Sequence, residues 1–287
     1  MNYTIIGASG DLGCYLMRYL VGYAGATHCQ AIVYSSGKTA NLKAQHVQVV
    51  RTDYQDQGTQ TRALLGTDVL VYIPSETYDV QRCIGEFETM LTAAKNAAVK
   101  QLIFVSFFAD QEHNPFVLTP FYGYATRRLA TTGMPYVVVK NALYADRLIP
   151  HLPELVRNAT LTYPVGDKAL SFISLSNSAE AIAKVAVTPM LHGKGQSYTL
   201  TQPSSLTMPE LAHVLTMTTG EKIGYEPAPV QQRPTGDSFQ TDDFALKTLF
   251  EAGQMGFLDI VSDDFETIIG RPADGMAAVL KEKIALI

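Results

Sequence analysis

Apolar residues fall in short continuous runs along the first half of the chain. Tyr3-Thr4-Ile5-Ile6, Gln30-Ala31-Ile32-Val33-Tyr34, Val47-Gln48-Val49-Val50, Val69-Leu70-Val71-Tyr72-Ile73, Leu102-Ile103-Phe104-Val105-Ser106 and Tyr136 to Lys140 are each the length of a strand. Between them, apolar positions recur at helical spacing. Leu12, Leu16, Tyr19 and Leu20 mark one such stretch, and Phe87, Leu91, Ala94 and Ala98 another. Thr59 to Leu65 and Tyr122 to Thr131 read as helices closed by Gly66 and Gly133. Glycine supplies the positive φ that a helix end often needs. Continuous apolar strands alternating with amphipathic helices predict a parallel sheet covered on both faces. Right-handed crossovers make it doubly wound, with ligands at the carboxyl ends of the strands.

The rhythm changes after Ala145. Pro150, Pro153 and Pro164 break the chain into short pieces. Ser178 is placed to cap a helix through Ala179, Ile182, Ala183 and Ala186, and Ser197-Tyr198-Thr199-Leu200 reads as a strand. Thr207-Met208-Pro209-Glu210 has the form of a capping box, followed by a helix that Gly220 ends. Residues 226–240 carry three prolines and read as a loop, with two apolar helical segments beyond. The expected organisation is a nucleotide-binding domain over residues 1–150 and a smaller lobe over 151–287, with the helix at 178–188 packing back on the first domain.

Gly7-Ala8-Ser9-Gly10-Asp11-Leu12-Gly13 joins the first strand to the first helix. Each glycine has a separate task at this spacing. Gly7 lets the chain turn after the strand. Gly10 lets a pyrophosphate approach the backbone, and Gly13 lets the helix lie close to the strand. The helix N-terminus presents N–H groups and partial positive charge to an anion, and Ser9 adds a hydroxyl. This predicts dinucleotide binding on an α/β, doubly wound parallel Rossmann sheet with a second, smaller α/β C-terminal lobe.

NAD-preferring sites place an acid at the tip of the second strand, to bind the ribose hydroxyl. Here the tip is Tyr34-Ser35-Ser36-Gly37-Lys38. Ser35, Ser36 and Lys38 suit a 2′-phosphate, so NADP(H) is the expected coenzyme, with NAD(H) also possible. Asp53 and Tyr54 are expected beside the adenine. The nicotinamide is expected over Ile73, Pro74, Ser75, Ser106 and Phe107, with Lys140 and Asn141 beside it at the end of the sixth strand. Phe108, Tyr144 and Phe172 are candidates for an apolar wall against a flat substrate. Tyr124 and Arg128 lie one helical turn apart, which approximates a Tyr-x-x-x-Lys pair with arginine in place of lysine. Arginine stays charged and relays no proton. Tyr124, Lys140 and Asn141 are therefore the candidate catalytic residues.

Composition narrows the classes. The chain has 287 residues, is 47% hydrophobic and 17% charged, and carries a net charge of −5. That suits a globular protein and gives no basic surface for nucleic acid. No apolar run approaches the roughly 20 residues of a membrane helix, and no basic and apolar leader precedes Tyr3. Cys14, Cys29 and Cys83 lack metal-ligand spacing and suggest free thiols in a reducing cytoplasm. The six histidines likewise lack metal-ligand spacing, so no metal is expected.

The whole chain resembles the NmrA-like group of atypical short-chain dehydrogenases, and within it the type 2 NAD(P)H:quinone oxidoreductases. Tyr3 to Gly13, Thr52-Asp53-Tyr54-Gln55-Asp56, and Gly133-Met134-Pro135-Tyr136 leading into Lys140-Asn141-Ala142-Leu143-Tyr144 carry the resemblance. Ser197-Tyr198-Thr199-Leu200 and Ile268-Ile269-Gly270-Arg271-Pro272 add to it. It implies NADPH on the larger lobe and a substrate cleft between lobes. Lys140 stands where arginine is common in that group, Thr126 where glutamate is frequent and Asn177 where aspartate is frequent. The leading expectation is NADPH-dependent hydride transfer to a quinone or similar flat electrophile. The alternative is a non-catalytic NADP(H) sensor that binds a protein partner. An epimerase with tightly bound NAD is a weaker third reading, since the tyrosine–lysine pair is missing.

Overall fold

The computed structural model describes residues 1–34, 39–228 and 243–284. The strands are β1 (Tyr3–Ile6), β2 (Cys29–Val33), β3 (Gln48–Arg51), β4 (Val69–Tyr72), β5 (Gln101–Phe107), β6 (Tyr136–Asn141), β7 (Leu143–Tyr144), β8 (Thr160–Tyr163), β9 (Ala169–Leu170), β10 (Phe172–Ile173), β11 (Lys194–Leu200), β12 (Leu206–Thr207) and β13 (Gly224–Pro227). The α-helices are α1 (Asp11–Ala24), α2 (Ala40–Ala44), α3 (Gln57–Leu64), α4 (Val80–Asn96), α5 (Thr119–Ala130), α6 (Leu152–Asn158), α7 (Leu175–Val187), α8 (Met208–Thr219), α9 (Asp243–Gln254), α10 (Asp264–Ile269) and α11 (Met276–Ile284).

Seven strands form one sheet in the order β11-β6-β5-β4-β1-β2-β3, with every neighbouring pair parallel. The strand order reverses between β1 and β4, where ligands bind in open sheets of this kind. β4 is buried along its whole length, as its unbroken apolar run requires.

Both faces are covered. Phe104 of β5 packs against Phe87 of α4 and Phe121 of α5 at 5.4 and 6.2 Å between ring centroids. Such tilted and edge-on ring pairs add stability beyond the area they bury. Val138 of β6 is in register with Phe104. Side chains alternate along a strand, so Asn141, three residues on, faces the opposite side. There the hydroxyl of Ser178 from α7 donates to it. α7 packs on α1 through a run of buried small residues that includes Ala179, Ala183 and Ala186.

The smaller C-terminal lobe is α/β. It carries three two-stranded pieces, β7 with β10, β8 with β13, and β9 with β12, alongside α6, α8, α9 and α11, whereas α10 packs on β11 and α7. The capping box at Thr207 forms: its Oγ1 accepts from the Glu210 N–H, and Glu210 accepts from the Thr207 N–H. Gly220 ends α8 at φ +78°.

Three readings change. β11 joins the large sheet beside β6, so chain beyond residue 150 contributes to both lobes. Ser174, not Ser178, caps α7, its Oγ accepting from the Asn177 N–H at 3.0 Å. Three helices, α9, α10 and α11, stand where two were expected, because Gly270 at φ +88° ends α10 before α11 begins. Most of the expected loop at 226–240 lies outside the described residues.

Candidate functional site

The loop between β1 and α1 is built as its glycines require. Gly7 has φ +84°, and a Cβ there would stand 2.9 Å from the Ile73 carbonyl oxygen just past β4. A Cβ on Gly13 would meet the Gly7 carbonyl oxygen at 2.3 Å and the Ala8 Cα at 2.7 Å. Gly10 differs: its Cβ would have only the Gly7 oxygen within reach, at 3.5 Å. Gly10 is also the N-cap of α1, and no side chain caps the helix there. The N–H groups of Leu12 and Gly13, in the first turn, have no acceptor within the helix. The loop therefore offers backbone donors and open space at the sheet's reversal point. Ser9 is half-buried beside them, and Asp11 is exposed at the first helical position.

Beyond β2, Ser35, Ser36 and Lys38 lie outside the described residues. Tyr34 stacks on Tyr54, with centroids 3.2 Å apart and ring planes 18° apart. The Tyr34 hydroxyl is buried beside Thr52, and neither oxygen has a well-formed partner among the described residues. Burial pushes both phenols up. Asp53 is exposed and shapes a turn: its carboxylate accepts from the Gln55 N–H at 2.8 Å.

At the strand ends, Ile73, Pro74 and Ser75 follow β4 directly. Ser75 donates to the buried Glu86 at 2.5 Å, and Arg82 holds the other carboxylate oxygen at 2.7 Å. Ser106 Oγ, at the end of β5, is buried with no partner among the described residues. Its register neighbour Lys140 pairs with Asp110 at 2.6 Å, both being largely shielded. Asn141 is engaged at both amide atoms: its Oδ1 accepts from Ser178 at 2.7 Å, and its Nδ2 donates to Tyr144 at 3.0 Å.

Phe107, at the end of β5, contacts Tyr122 of α5, and Tyr144 of β7 lies near Tyr122. Phe107 packs edge-on against Phe116 at 5.5 Å and lies 6.0 Å from the Tyr122 ring. Burial raises the Tyr122 phenol, and Tyr144 and Tyr78 are among its charged-form neighbours. Burial likewise raises Tyr144. Both tyrosines remain partly accessible. Phe108 is 2% exposed and serves as packing beneath Phe107. Phe172 is buried on β10, in register with Leu143 of β7.

Tyr124 of α5 is engaged with α4. Its hydroxyl donates to Glu88 of α4 at 2.7 Å, and Arg128 binds the same carboxylate at 2.8 and 3.1 Å. The Glu88 hydrogen bond raises the Tyr124 phenol. The pair expected to resemble tyrosine–lysine chemistry ties α5 to α4 instead. Tyr122 was missed because it lies two residues earlier, on another side of the helix. Pro120 carried the usable signal, since proline favours a first helical turn and so fixes the phase.

Cys14, Cys29 and Cys83 are free thiols. Among the described residues, no group of three or more His, Cys, Asp or Glu side chains could hold a metal ion. Among them, no helix is long and apolar enough to cross a membrane.

The chain is similar in structure and sequence to several known proteins. A crystal structure named as a nucleoside-diphosphate-sugar epimerase from Staphylococcus aureus superposes with a TM-score of 0.88 at 31% identity, covering 98% of this chain and 100% of that one. The NADPH-dependent quinone oxidoreductase of Escherichia coli, crystallised with NADPH, gives 0.87 at 25% identity, with 98% and 99% covered. The NAD(P)H azoreductase of Xenophilus azovorans is 25% identical over 286 residues, which is 98% of this chain and 97% of the relative. Residues 2–239 match the NmrA-like family, and the chain belongs to that family.

Proposed function

We propose that this protein uses NADPH to reduce a quinone or a similarly flat hydrophobic electrophile, in a reducing cytoplasm where its cysteines stay thiols. The observation that carries the reading is the start of α1. An uncapped helix, a glycine N-cap facing open space and a sharp strand-to-helix turn coincide at the reversal point of the sheet. These features suit a diphosphate, and among the described residues only the Gly7 oxygen comes within 4 Å of where a Cβ on Gly10 would stand.

Residues 7–13 would hold the diphosphate, with Ser9 as an added donor. Tyr54, with Asp53 shaping its turn, would flank the adenine. Ile73, Pro74, Ser75, Ser106 and Phe107 would surround the nicotinamide. No acid stands at Tyr34, which favours NADPH over NADH. When bound, the coenzyme supplies a hydride. The chain positions a planar acceptor against it and keeps water away with Phe107, Tyr122 and Tyr144. The relatives named for quinone and azo reduction support this substrate class. The epimerase reading has less support, because the Tyr124–Arg128 pair is committed to Glu88.

The sensor alternative draws on that same engagement and on the Lys140–Asp110 pair. One experiment separates the readings. Purified protein is mixed with NADPH and a panel of small quinones while the absorbance of the reduced coenzyme is followed. Consumption above background is expected. Tight NADPH binding with no turnover across the panel would replace the reductase with the sensor.

A further inference from the structure

Three residues from three elements form a directed chain beside the proposed nicotinamide site. Ser178 of α7 is fully buried, and its hydroxyl donates to Asn141 Oδ1 at 2.7 Å. Asn141, at the end of β6, is 1% exposed, and its Nδ2 donates to the Tyr144 oxygen at 3.0 Å. The shorter contact matches O–H to O and the longer N–H to O, and the amide is assigned on that basis. With the amide reversed, its oxygen would take the Tyr144 proton. Tyr144 accepts from Asn141, and the Ser178 hydroxyl is a further polar neighbour of its phenol. Among the described residues no full hydrogen bond takes the Tyr144 proton.

Tyr144 is also held from behind. Its strand β7 pairs with β10, Tyr144 opposite Ile173, and the Leu143 N–H donates to the Ser171 carbonyl. The phenol therefore has a fixed base, accepts from Asn141 and lies near Tyr122, which contacts Phe107.

We propose that Tyr144 donates a hydrogen bond to the carbonyl oxygen of the substrate, with Asn141 and Ser178 as positioning residues that keep its proton available. This rests on the reductase reading above. A quinone that receives a hydride gains two electrons and one proton, and negative charge collects on an oxygen. A donor already oriented in a water-poor site stabilises that charge with little reorganisation. Tyr144 keeps its proton, because burial disfavours its phenolate. The second proton of the hydroquinone comes from water, and the coenzyme leaves oxidised. Atoms and electrons then balance with no further reactant.

The test uses the full-length protein with 1,4-naphthoquinone and NADPH. Tyr144→Phe removes the donor and keeps the ring. Its kcat is expected to fall about a hundredfold, with KM for the quinone and Kd for NADPH within about threefold. Asn141→Asp places a carboxylate against Tyr144 and captures its proton. That variant should lose a similar factor at neutral pH and recover as acid protonates the new carboxyl, a pH profile that a packing defect does not give. A second readout needs no turnover. With NADP⁺ present, 4-nitrophenol is titrated by its absorbance; bound to the wild type its pKa should be lowered, and Tyr144→Phe should abolish that shift. Wild-type kcat in Tyr144→Phe, or an unchanged nitrophenol shift, overturns the inference and leaves the reductase reading standing. If the wild type reduces no quinone, the reductase reading fails, and the nitrophenol titration still decides whether Tyr144 donates to an aryl oxygen.

Discussion

Gly10 and Gly13 lie three residues apart in one loop, yet their substitution should fail in different ways. At Gly13, a Cβ would stand 2.3 Å from the Gly7 oxygen and 2.7 Å from the Ala8 Cα. Both are backbone atoms, so no flexible side chain can yield, and α1 must shift off the strand. Overpacking of this kind costs about 3 kcal/mol at the upper end of its usual range. The helix preference of alanine over glycine offsets about 1 kcal/mol. Gly13→Ala should therefore destabilise by about 2 kcal/mol, roughly 4–8 °C in Tm for a chain near this size. At Gly10 the nearest atom is 3.5 Å away, and φ −73° with ψ 169° admits any residue. Gly10→Val forfeits only a favourable N-cap, about 1 kcal/mol or less. Its branched side chain instead enters the space a diphosphate would fill. NADPH affinity should drop at least about tenfold, or 1.4 kcal/mol. Scanning calorimetry gives the Tm, and titration of NADPH fluorescence gives the Kd. Unchanged NADPH affinity in Gly10→Val, or an unchanged Tm in Gly13→Ala, would refute this placement of the loop.

Three further outcomes are expected. Tyr124→Phe should leave kcat within about twofold of the wild type and lower stability by about 1 kcal/mol, read by urea melts, since Tyr124 serves the α4–α5 contact. Asn177 and Asp274 exchange hydrogen bonds at 2.8 and 2.7 Å. Asn177→Asp would oppose two carboxylates and raise the folded-state pKa of one, so its destabilisation should grow as pH rises past about 4, measured as Tm against pH. Burial alone would lower the Lys283 ammonium, but its hydrogen bond to Tyr15 and the nearby Asp146 outweigh this and raise it. The stability it adds is complete below the unfolded value of about 10.4 and is lost as pH rises through the folded one. Lys283→Met should flatten the alkaline fall in Tm above that point; an equally steep fall would count against the assignment.

The large sheet was legible as far as β6, because each strand is a separate apolar run between helical spacings. The place of β11 was not, since Ser197 to Leu200 reads as a strand whatever sheet receives it. The cap of α7 is Ser174 and not the expected Ser178. Nearby contacts decide it: Ser174 accepts from Asn177, and Asp146 accepts from the Leu175 N–H at 2.7 Å. That shift of register turns Ser178 from a helix cap into a partner of Asn141. The glycine loop was readable because backbone geometry permits few other residues there. The Lys140–Asp110 pair was not, because its members are 30 positions apart and only the adjacency of β5 and β6 unites them.

The seating of β11 and α7 sets an order for biogenesis. While the ribosome has released only the first 150 residues, β6 has an open margin and α1, already seated on β1 and β2, lacks α7 beside it. Unpaired strand margins invite association with other chains. The nascent protein therefore passes through a vulnerable interval of some fifty residues, until β11 emerges, and a chaperone that shields bare β-margins would act within it.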